Sequence, residues 1–303
     1  MTVIVETVGS VLRDLFPLIW SGVITGCLYA LGALGLVMIF KSSRVVNFSH
    51  GNVAGFAAFL VYGFSSGLLL ELSWGAAVLL AVIAAIAIAF VSYALIAPLV
   101  FESDLTATIA TLGVGLVVQG ATLLMFGADI VSLDLPVPRF SASILGLLIT
   151  GYDLTVLFVA VVTIGILFFV IDYTKLGVAF RAISDNAFAA EVCGLNLRSV
   201  HLFAWCVAAI LGVVGALLIV PTTFLSSTTV ATFMLQAFAA AVLGGFASLP
   251  GSLVGGILIG IFMNLFTFYV SPEFSSTFLL GVILLALNIF PNGALAKVGG
   301  SRV

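Results

Sequence analysis

The sequence predicts an all-α polytopic membrane protein, a bundle of about eight to ten transmembrane helices with one short helix on the cytoplasmic side. Composition gives the first evidence, because 63% of the 303 residues are hydrophobic and only 7% are charged. A soluble domain carries about 25% charged residues, so these residues are too few to form a water-facing surface. The apolar runs are also far longer than the ~10 residues of a membrane β-strand, which favours helices.

Nine apolar stretches are candidates to cross the ~30 Å hydrocarbon layer as helices. Gly, Ser, Thr and Asn clusters interrupt some of them, which leaves a re-entrant segment open within 43–60 or 230–270. We predict a single membrane domain over 1–303, with amino-terminal spans in 17–172, a polar segment at 173–199 and carboxy-terminal spans in 200–291. The nine stretches lie near 17–39, 52–70, 75–98, 106–127, 152–172, 200–221, 230–248, 252–271 and 275–291.

The distribution of Lys and Arg orients these spans, because short cytoplasmic loops carry an excess of basic residues. We expect the amino terminus outside and the carboxy terminus in the cytoplasm. Only Arg13 and Arg139 then lie outside, and loop 128–151 is the longest external segment. The basic residues expected on the cytoplasmic side are Lys41, Arg44, Lys175, Arg181, Arg198, Lys297 and Arg302.

The polar segment 173–199 contains a candidate short helix of about two turns. Ser184, Asp185 and Asn186 are good N-cap residues, and Gly194 suits the position just after a helix end. Between these caps, Phe188 and Val192 stand four residues apart and therefore share one face. Two interpretations stay open for this segment, a capped amphipathic helix or a solvated connecting loop.

The sequence carries one weak sign of enzymatic chemistry. Gly63-Phe-Ser-Ser-Gly67 matches the G-x-S-x-G pattern of hydrolases, but it lies at the end of an apolar span, and the chain has only two histidines. It has no G-x-x-x-x-G-K-[ST] motif, and no Lys follows a Gly, so no phosphate-binding loop for ATP is predicted. The three cysteines, Cys27, Cys193 and Cys206, show no metal-ligand spacing. No basic stripe suggests nucleic acid. We therefore expect a non-enzymatic chain that holds no metal and no cofactor of its own.

Ionisable residues fall mainly at the ends of the predicted spans, and neutral polar side chains are left to line a water-filled path. Some of the candidate path residues have a second interpretation. The side chains at 47–50 can form hydrogen bonds with the backbone at an interrupted helix end, and the two glutamines can form hydrogen bonds between helices. Sodium coupling through neutral oxygens also stays open. The candidates are Tyr29, Asn47, Ser49, His50, Thr111, Gln119 and Gln236.

Several segments, taken in order, resemble the permease subunits of branched-chain amino acid ABC importers, the LivH type. The resemblance covers about residues 17–293. The sequence departs from the family pattern in three places: Ser49 replaces the usual Ala, Asn52 replaces an acidic residue, and Gly55-Phe56-Ala57 replaces a Gly-Ala-Tyr run. The matching segments are Leu28-Tyr-Ala-Leu-Gly-Ala-Leu-Gly-Leu36, Asn47-Phe-Ser-His-Gly51, Thr111-Leu-Gly113 with Gln119, Leu176-Gly177, Arg181-Ala182, Ala190, Gly194-Leu-Asn196, Ala237-Phe-Ala-Ala-Ala-Val-Leu-Gly-Gly-Phe246, Pro250-Gly251 and Gly255-Gly256.

The resemblance implies the permease subunit of an ABC importer in a bacterial cytoplasmic (inner) membrane, moving branched-chain amino acids or related small polar or amphipathic solutes. It implies a second permease chain, LivM-like or a second copy, two cytoplasmic ATPase subunits that carry ATP and Mg, and an extracytoplasmic binding protein. The alternative is an ion-coupled secondary transporter or a channel for a small solute. The resemblance at Arg181, Ala190 and 194–196, taken with the caps and the apolar residue of the short helix, predicts a coupling helix that contacts the ATPases. The residues assigned to it are Arg181, Ser184, Asp185, Asn186, Phe188, Ala190, Gly194, Leu195 and Asn196.

Overall fold

The structure is a computed structural model that describes residues 2–100, 102–144, 147–226, 229–290 and 293. Within these residues it contains eleven helices and one two-stranded antiparallel hairpin. In chain order the elements are α1 (Thr2–Ser43), α2 (His50–Ser65), α3 (Trp74–Val100), α4 (Asp104–Phe126), β1 (Ser141–Ile144), β2 (Leu147–Thr150), α5 (Gly151–Tyr173), α6 (Lys175–Asp185), α7 (Ala187–Val192), α8 (Leu197–Thr223), α9 (Thr229–Gly244), α10 (Leu249–Tyr269) and α11 (Ser275–Ile289).

Each of the nine predicted spans coincides with one helix, α1 to α5 or α8 to α11. By length and apolar composition, six helices in the described residues suffice to cross a membrane: α1, α3, α4, α5, α8 and α10. The other three, α2, α9 and α11, have 16, 16 and 15 residues, or about 24 Å at 1.5 Å per residue. The prediction of an all-α polytopic membrane protein is confirmed.

The sequence reasoning did not anticipate two elements. The first is α6, which occupies part of the polar segment 173–199. Its N-cap Thr174 accepts a hydrogen bond from the backbone N–H of Gly177, and its inner face buries Phe180 and Ile183. The second is the hairpin β1–β2, which pairs Ser141 with Thr150 inside the predicted external loop.

Helices α1 and α8 form the core of the bundle. The apolar windows of these two helices are 83% and 72% buried, whereas those of α4 and α5 are each 22% buried. Along α1, glycines bring α10 to backbone contact: a Cβ built on Gly26 would lie 2.6 Å from the Cα of Ile257, and one built on Gly256 would lie 2.6 Å from the Cα of Ala30. Small residues permit this close packing in a membrane bundle.

Helices α1 and α8 end in the same unusual way. Arg44 and Phe224, each the first residue after its helix, have φ of 59°, and they are the two non-glycine residues with positive φ in the described part of the chain. Few residues other than glycine adopt this conformation. The non-helical residues 44–49 lead from α1 into α2, and the non-helical residues 224–226 follow α8. Helices α2 and α9, which come next in the chain, each have 16 residues. Because α1 and α8 run in opposite directions, the two breaks lie at opposite ends of the bundle.

The alternation of the helices gathers basic residues at one end of the bundle, which we call the basic end. Lys41 and Arg44 lie at the end of α1, Lys175 and Arg181 lie on α6, and Arg198 lies in the first turn of α8. The segment that carries Arg139 follows α4 and lies at the opposite end. Lys297, Arg302 and the carboxy terminus fall outside the described residues, and the cytoplasmic location of the basic end stays a prediction.

Candidate translocation site and coupling segment

The two short helices α2 and α9 meet between α1 and α8 in the interior of the bundle. His50, the first residue of α2, is 3% exposed. It lies between two glycines: a Cβ built on Gly35 of α1 would lie 2.6 Å from its Nε2, and one built on Gly212 of α8 would lie 2.8 Å from its Cε1. The Nε2 atom is buried without a hydrogen-bond partner among the described residues. The ring of His50 is therefore held by close packing.

Phe233 of α9 occupies the neighbouring position. It is 2% exposed, and Cβ atoms built on Gly32 of α1 and Gly215 of α8 would lie 3.2 Å and 3.0 Å from its Cζ. Gly32 and Gly35, with Gly212 and Gly215, thus form two facing glycine pairs, which we call the glycine seat. Beside it α2 and α9 contact each other, because Gly51 packs against Met234.

Segment 44–49 is not helical and returns from the end of α1 into the bundle: Val45, Asn47 and Ser49 are buried, whereas Arg44 and Phe48 are exposed. Gly35, which contacts His50, is eight residues before the end of α1, or about 12 Å along the helix. Threonines of α4 satisfy the backbone of this segment: Thr108 Oγ1 accepts from the N–H of Val46 (3.4 Å), and Thr111 Oγ1 accepts from that of Phe48 (3.0 Å). The Thr111 hydroxyl also lies 3.3 Å from the carbonyl oxygen of Val46. Irregular backbone at membrane depth requires such internal partners.

Asn47 and Ser49 act within the same segment. The backbone N–H and the hydroxyl of Ser49 both donate to Asn47 Oδ1, at 3.0 and 2.7 Å, and both residues are buried. These contacts correspond to the second interpretation of the sequence, in which the side chains satisfy an interrupted helix end. Four predicted path residues, Asn47, Ser49, His50 and Thr111, therefore lie together in one buried cluster.

Tyr29 and Gln236 lie elsewhere, in a cavity of about 260 Å³ between α1, α8 and α9. Phe233 also lines this cavity, so the same ring separates it from the glycine seat. The lining is neutral and rich in hydroxyl groups, and the sequence reasoning did not single out several of its members. They are Thr25, Tyr29, Ile219, Thr222, Thr223, Thr232, Phe233 and Gln236.

Gln119 is in a third place, a small cleft between α2, α4 and the segment that precedes α9. Asn52 of α2 and Ser226 line the cleft with it, and all three residues are partly exposed. Asn52 was not among the predicted path residues, although one signal was present: it stands where the family pattern usually has an acidic residue. The predicted path residues thus fall into three groups, which no single described cavity unites.

Helix α7 is capped at both ends. Asn186 Oδ1 accepts from the N–H of Ala189 at 3.0 Å. At the other end Gly194 has φ of 86°, and the N–H groups of Gly194 and Leu195 donate to the carbonyls of Glu191 and Ala190 at 2.9 and 3.1 Å. These two bonds form a Schellman motif. The short helix predicted at 184–194 is therefore present. The structure begins it at Ala187 with Asn186 as its N-cap, whereas Ser184 and Asp185, the other two predicted caps, belong to α6.

The outer face of α7 is apolar. Ala190 is 5% exposed and packs on the bundle, whereas Phe188 and Val192 are 77% and 73% exposed. Large exposed apolar groups on a polar connecting segment are typical of an interaction surface. This pair therefore differs from what a solvated loop would present.

The other residues assigned to coupling belong to the frame around α7. Ser184 Oγ donates to the carbonyl of Phe180 within α6, and Asp185 is the last residue of α6. Arg181 forms an ion pair with Asp172 at 3.1 Å, across the corner between α5 and α6. Asn196 caps α8, since its Oδ1 accepts from the N–H of Ser199 at 3.3 Å. Both sides of α7 are thus tied to neighbouring helices.

Comparison with known proteins identifies the family. The family model described as branched-chain amino acid transport system permease component matches residues 18–287. The chain belongs to this family. It is a multi-pass membrane permease subunit of an ABC-type import system and not an enzyme, and the resemblance seen in its motifs is confirmed.

The chain is similar to several curated permease proteins, three of which are the following. The high-affinity branched-chain amino acid transport system permease protein LivH of Escherichia coli K12 is 28% identical over 300 residues, covering 92% of this chain and 94% of that protein. BraD of Pseudomonas aeruginosa, with the same description, is 25% identical over 91% of this chain and 94% of its own length. The autoinducer 2 import system permease protein LsrC of Escherichia coli O9:H4 (strain HS) is 29% identical over 63% of this chain and 57% of its own length.

Proposed function

We propose that this chain forms one permease half of an ATP-driven importer for branched-chain amino acids or related small polar or amphipathic solutes. A second permease chain, LivM-like, completes the path, and an extracytoplasmic binding protein delivers the solute. Two cytoplasmic ATPase subunits bind ATP and Mg. The substrate class is supported by the names of LivH and BraD, and the wider wording by LsrC, whose name gives a different solute.

The observation that carries this proposal is α7, a capped helix that exposes Phe188 and Val192 at the basic end. An amphipathic helix of this kind binds by placing its apolar face in a groove of a partner. The chain contains no nucleotide-binding loop of its own, so a partner must supply ATP hydrolysis. We infer that α7 is the coupling helix and that its partner is an ATPase subunit.

The proposed path for the solute follows from a partly exposed polar face, which is formed by α2, α4 and Ser226. Asn52, Gln119 and Ser226 share this face at membrane depth. Polar side chains within a membrane usually face protein or a water-filled cavity and seldom face lipid. We infer that this face looks toward the second permease chain and the solute path, and that the cavity at Tyr29 and Gln236 adds to the path on the side opposite the basic end.

A short, hydrogen-bonded connection links α7 to α8, which carries one side of the glycine seat. Leu195 and the cap Asn196 join α7 directly to α8, and α8 carries Gly212 and Gly215. A displacement of α7 by closing ATPase subunits therefore moves the side of the seat that packs on His50 and Phe233. Rigid-body movement of packed helices between two arrangements is a common way to switch access.

The substitution Phe188→Ala tests the coupling assignment. Truncating an aromatic anchor commonly costs about 2 kcal/mol or more of binding, which is roughly 30-fold in affinity. We expect normal membrane insertion, weaker co-purification of the ATPase subunits and lower ATP-dependent uptake of leucine. Tyr173→Ala is the matched control, because Tyr173 is 78% exposed at the same end but stacks on Phe169 of its own helix.

The two readouts separate the possible outcomes. Loss of ATPase association in Phe188→Ala, with association retained in Tyr173→Ala, supports α7 as the docking helix. Full association and full uptake in Phe188→Ala would show that the segment is only a connection between α6 and α8, and the coupling assignment would then be wrong.

A further inference from the structure

A groove at the basic end combines cationic side chains with apolar walls. Its volume is about 690 Å³, and it lies between the end of α1, the corner of α5 and α6, and the start of α10. Lys41 and Arg181 contribute the positive charges, and Ser248 contributes a hydroxyl group. Phe168 and Val254 belong to its apolar wall.

The groove lies where three long apolar helices end, which is the level expected for lipid headgroups. Lys41 is two residues from the end of α1, Asp172 is one residue from the end of α5, and Pro250 is the second residue of α10. Three long apolar helices therefore end around it. From the groove, the exposed residues Val254 and Leu258 of α10 continue as an apolar strip along the membrane-spanning part of the helix.

The charges of the groove leave one cation in excess. Arg181 pairs with Asp172 at 3.1 Å, and Lys41 interacts electrostatically with Asp185 and with Arg44. Three cations, Lys41, Arg44 and Arg181, therefore stand against the two carboxylates of Asp172 and Asp185. Lys41 is also partly buried, so water screens its charge less than that of an exposed lysine. One excess positive charge beside an apolar strip is complementary to a phosphodiester that carries one negative charge and an acyl chain.

We propose that this groove binds an anionic phospholipid. Its phosphate contacts Lys41, Arg181 and the hydroxyl of Ser248, and one acyl chain lies along Phe168, Val254 and Leu258. Basic pockets between membrane helices are known to recognise lipid headgroups in this way. The site joins the corner of α5 and α6, which precedes α7, to α10, so bound lipid would brace the coupling segment against the bundle.

Native mass spectrometry of the full-length chain in detergent tests the proposal, with phosphatidylglycerol as the anionic probe and phosphatidylcholine as the neutral one. We expect Lys41→Gln to weaken phosphatidylglycerol binding about fivefold, since one basic residue contributes about 1 kcal/mol near an anionic lipid. Lys175→Gln is the matched control, because Lys175 is exposed at the same end but does not line the groove.

A third variant is expected to bind the lipid more strongly, a result that a loss of folding cannot produce. Asp172→Asn removes the carboxylate that competes for Arg181, so phosphatidylglycerol binding should strengthen. Equal weakening by Lys41→Gln and Lys175→Gln would show general attraction to a basic surface, and equal binding of the two lipids would show apolar contact alone. Either result, or unchanged binding in Asp172→Asn, would overturn the proposal.

Discussion

Substitution of Gly35 by alanine tests the packing at the centre of the bundle. The new Cβ would lie 2.6 Å from Nε2 and 2.8 Å from Cε1 of His50, closer than nonbonded atoms tolerate. The ring cannot retreat toward α8, because Gly212 already approaches it from that side. We therefore expect α1 and α8 to separate locally or His50 to leave its position.

The expected magnitude follows from two opposing effects. Overpacking a well-packed core typically costs 1–3 kcal/mol, whereas replacing glycine by alanine inside a helix stabilises by roughly 0.5–1 kcal/mol. Gly35→Ala should therefore lower the free energy of unfolding by about 1–2 kcal/mol. Gly113→Ala is the control, because a Cβ at Gly113 of α4 has no atom within 4 Å, and this variant should be at least as stable as the parent.

Equilibrium unfolding in mixed detergent micelles measures both variants, and a double-mutant cycle with His50→Ala identifies the cause. If His50 is the group that the new methyl displaces, Gly35→Ala should cost much less in the His50→Ala background, because residues in contact are not additive. Equal stability of Gly35→Ala and Gly113→Ala, or purely additive effects in the cycle, would refute the proposed seat.

Three further predictions concern packing, topology and energy supply. Gly255→Leu should prevent folding or assembly, because its Cβ would meet the carbonyl oxygen of Ala240 and lie 2.8 Å from the backbone nitrogen of Gly244. Gly281→Leu should be tolerated, since a Cβ at Gly281 has open space around it. Equal expression of both variants would contradict this packing. In intact cells an impermeant maleimide should label Ser141→Cys and leave the exposed native Cys193 unlabelled, and the reverse pattern would invert the topology. The purified chain alone should neither bind nor hydrolyse ATP.

Sequence reasoning located the spans because apolar run length determines them directly. All nine stretches became helices, and the caps at Asn186 and Gly194 were readable because these residue types have specific backbone roles. Helix α6 was missed because its buried face, with Phe180 and Ile183, is short and lies within a polar segment. The hairpin β1–β2 was missed for a similar reason, since four-residue strands give little periodic signal.

The site was less predictable, since its geometry depends on contacts between distant helices. Arg44 and Phe224 carry no residue-type signal for positive φ, so the backbone conformation that follows α1 and α8 is not visible in the sequence. The role of Gly35 appears only when α2 returns into the bundle and places His50 against it. Neutral polar residues were recognised as a class, but their division into a buried cluster, a cavity and a cleft required the fold.

Solute uptake into proteoliposomes tests the central claim most directly. The vesicles would contain this chain with its second permease chain and ATPase subunits, with leucine and the binding protein on one side and ATP on the other. We predict uptake that requires this chain, the ATPase subunits and ATP together, and that persists without an ion gradient. Uptake by this chain alone, driven by a sodium or proton gradient and indifferent to ATP, would contradict the account.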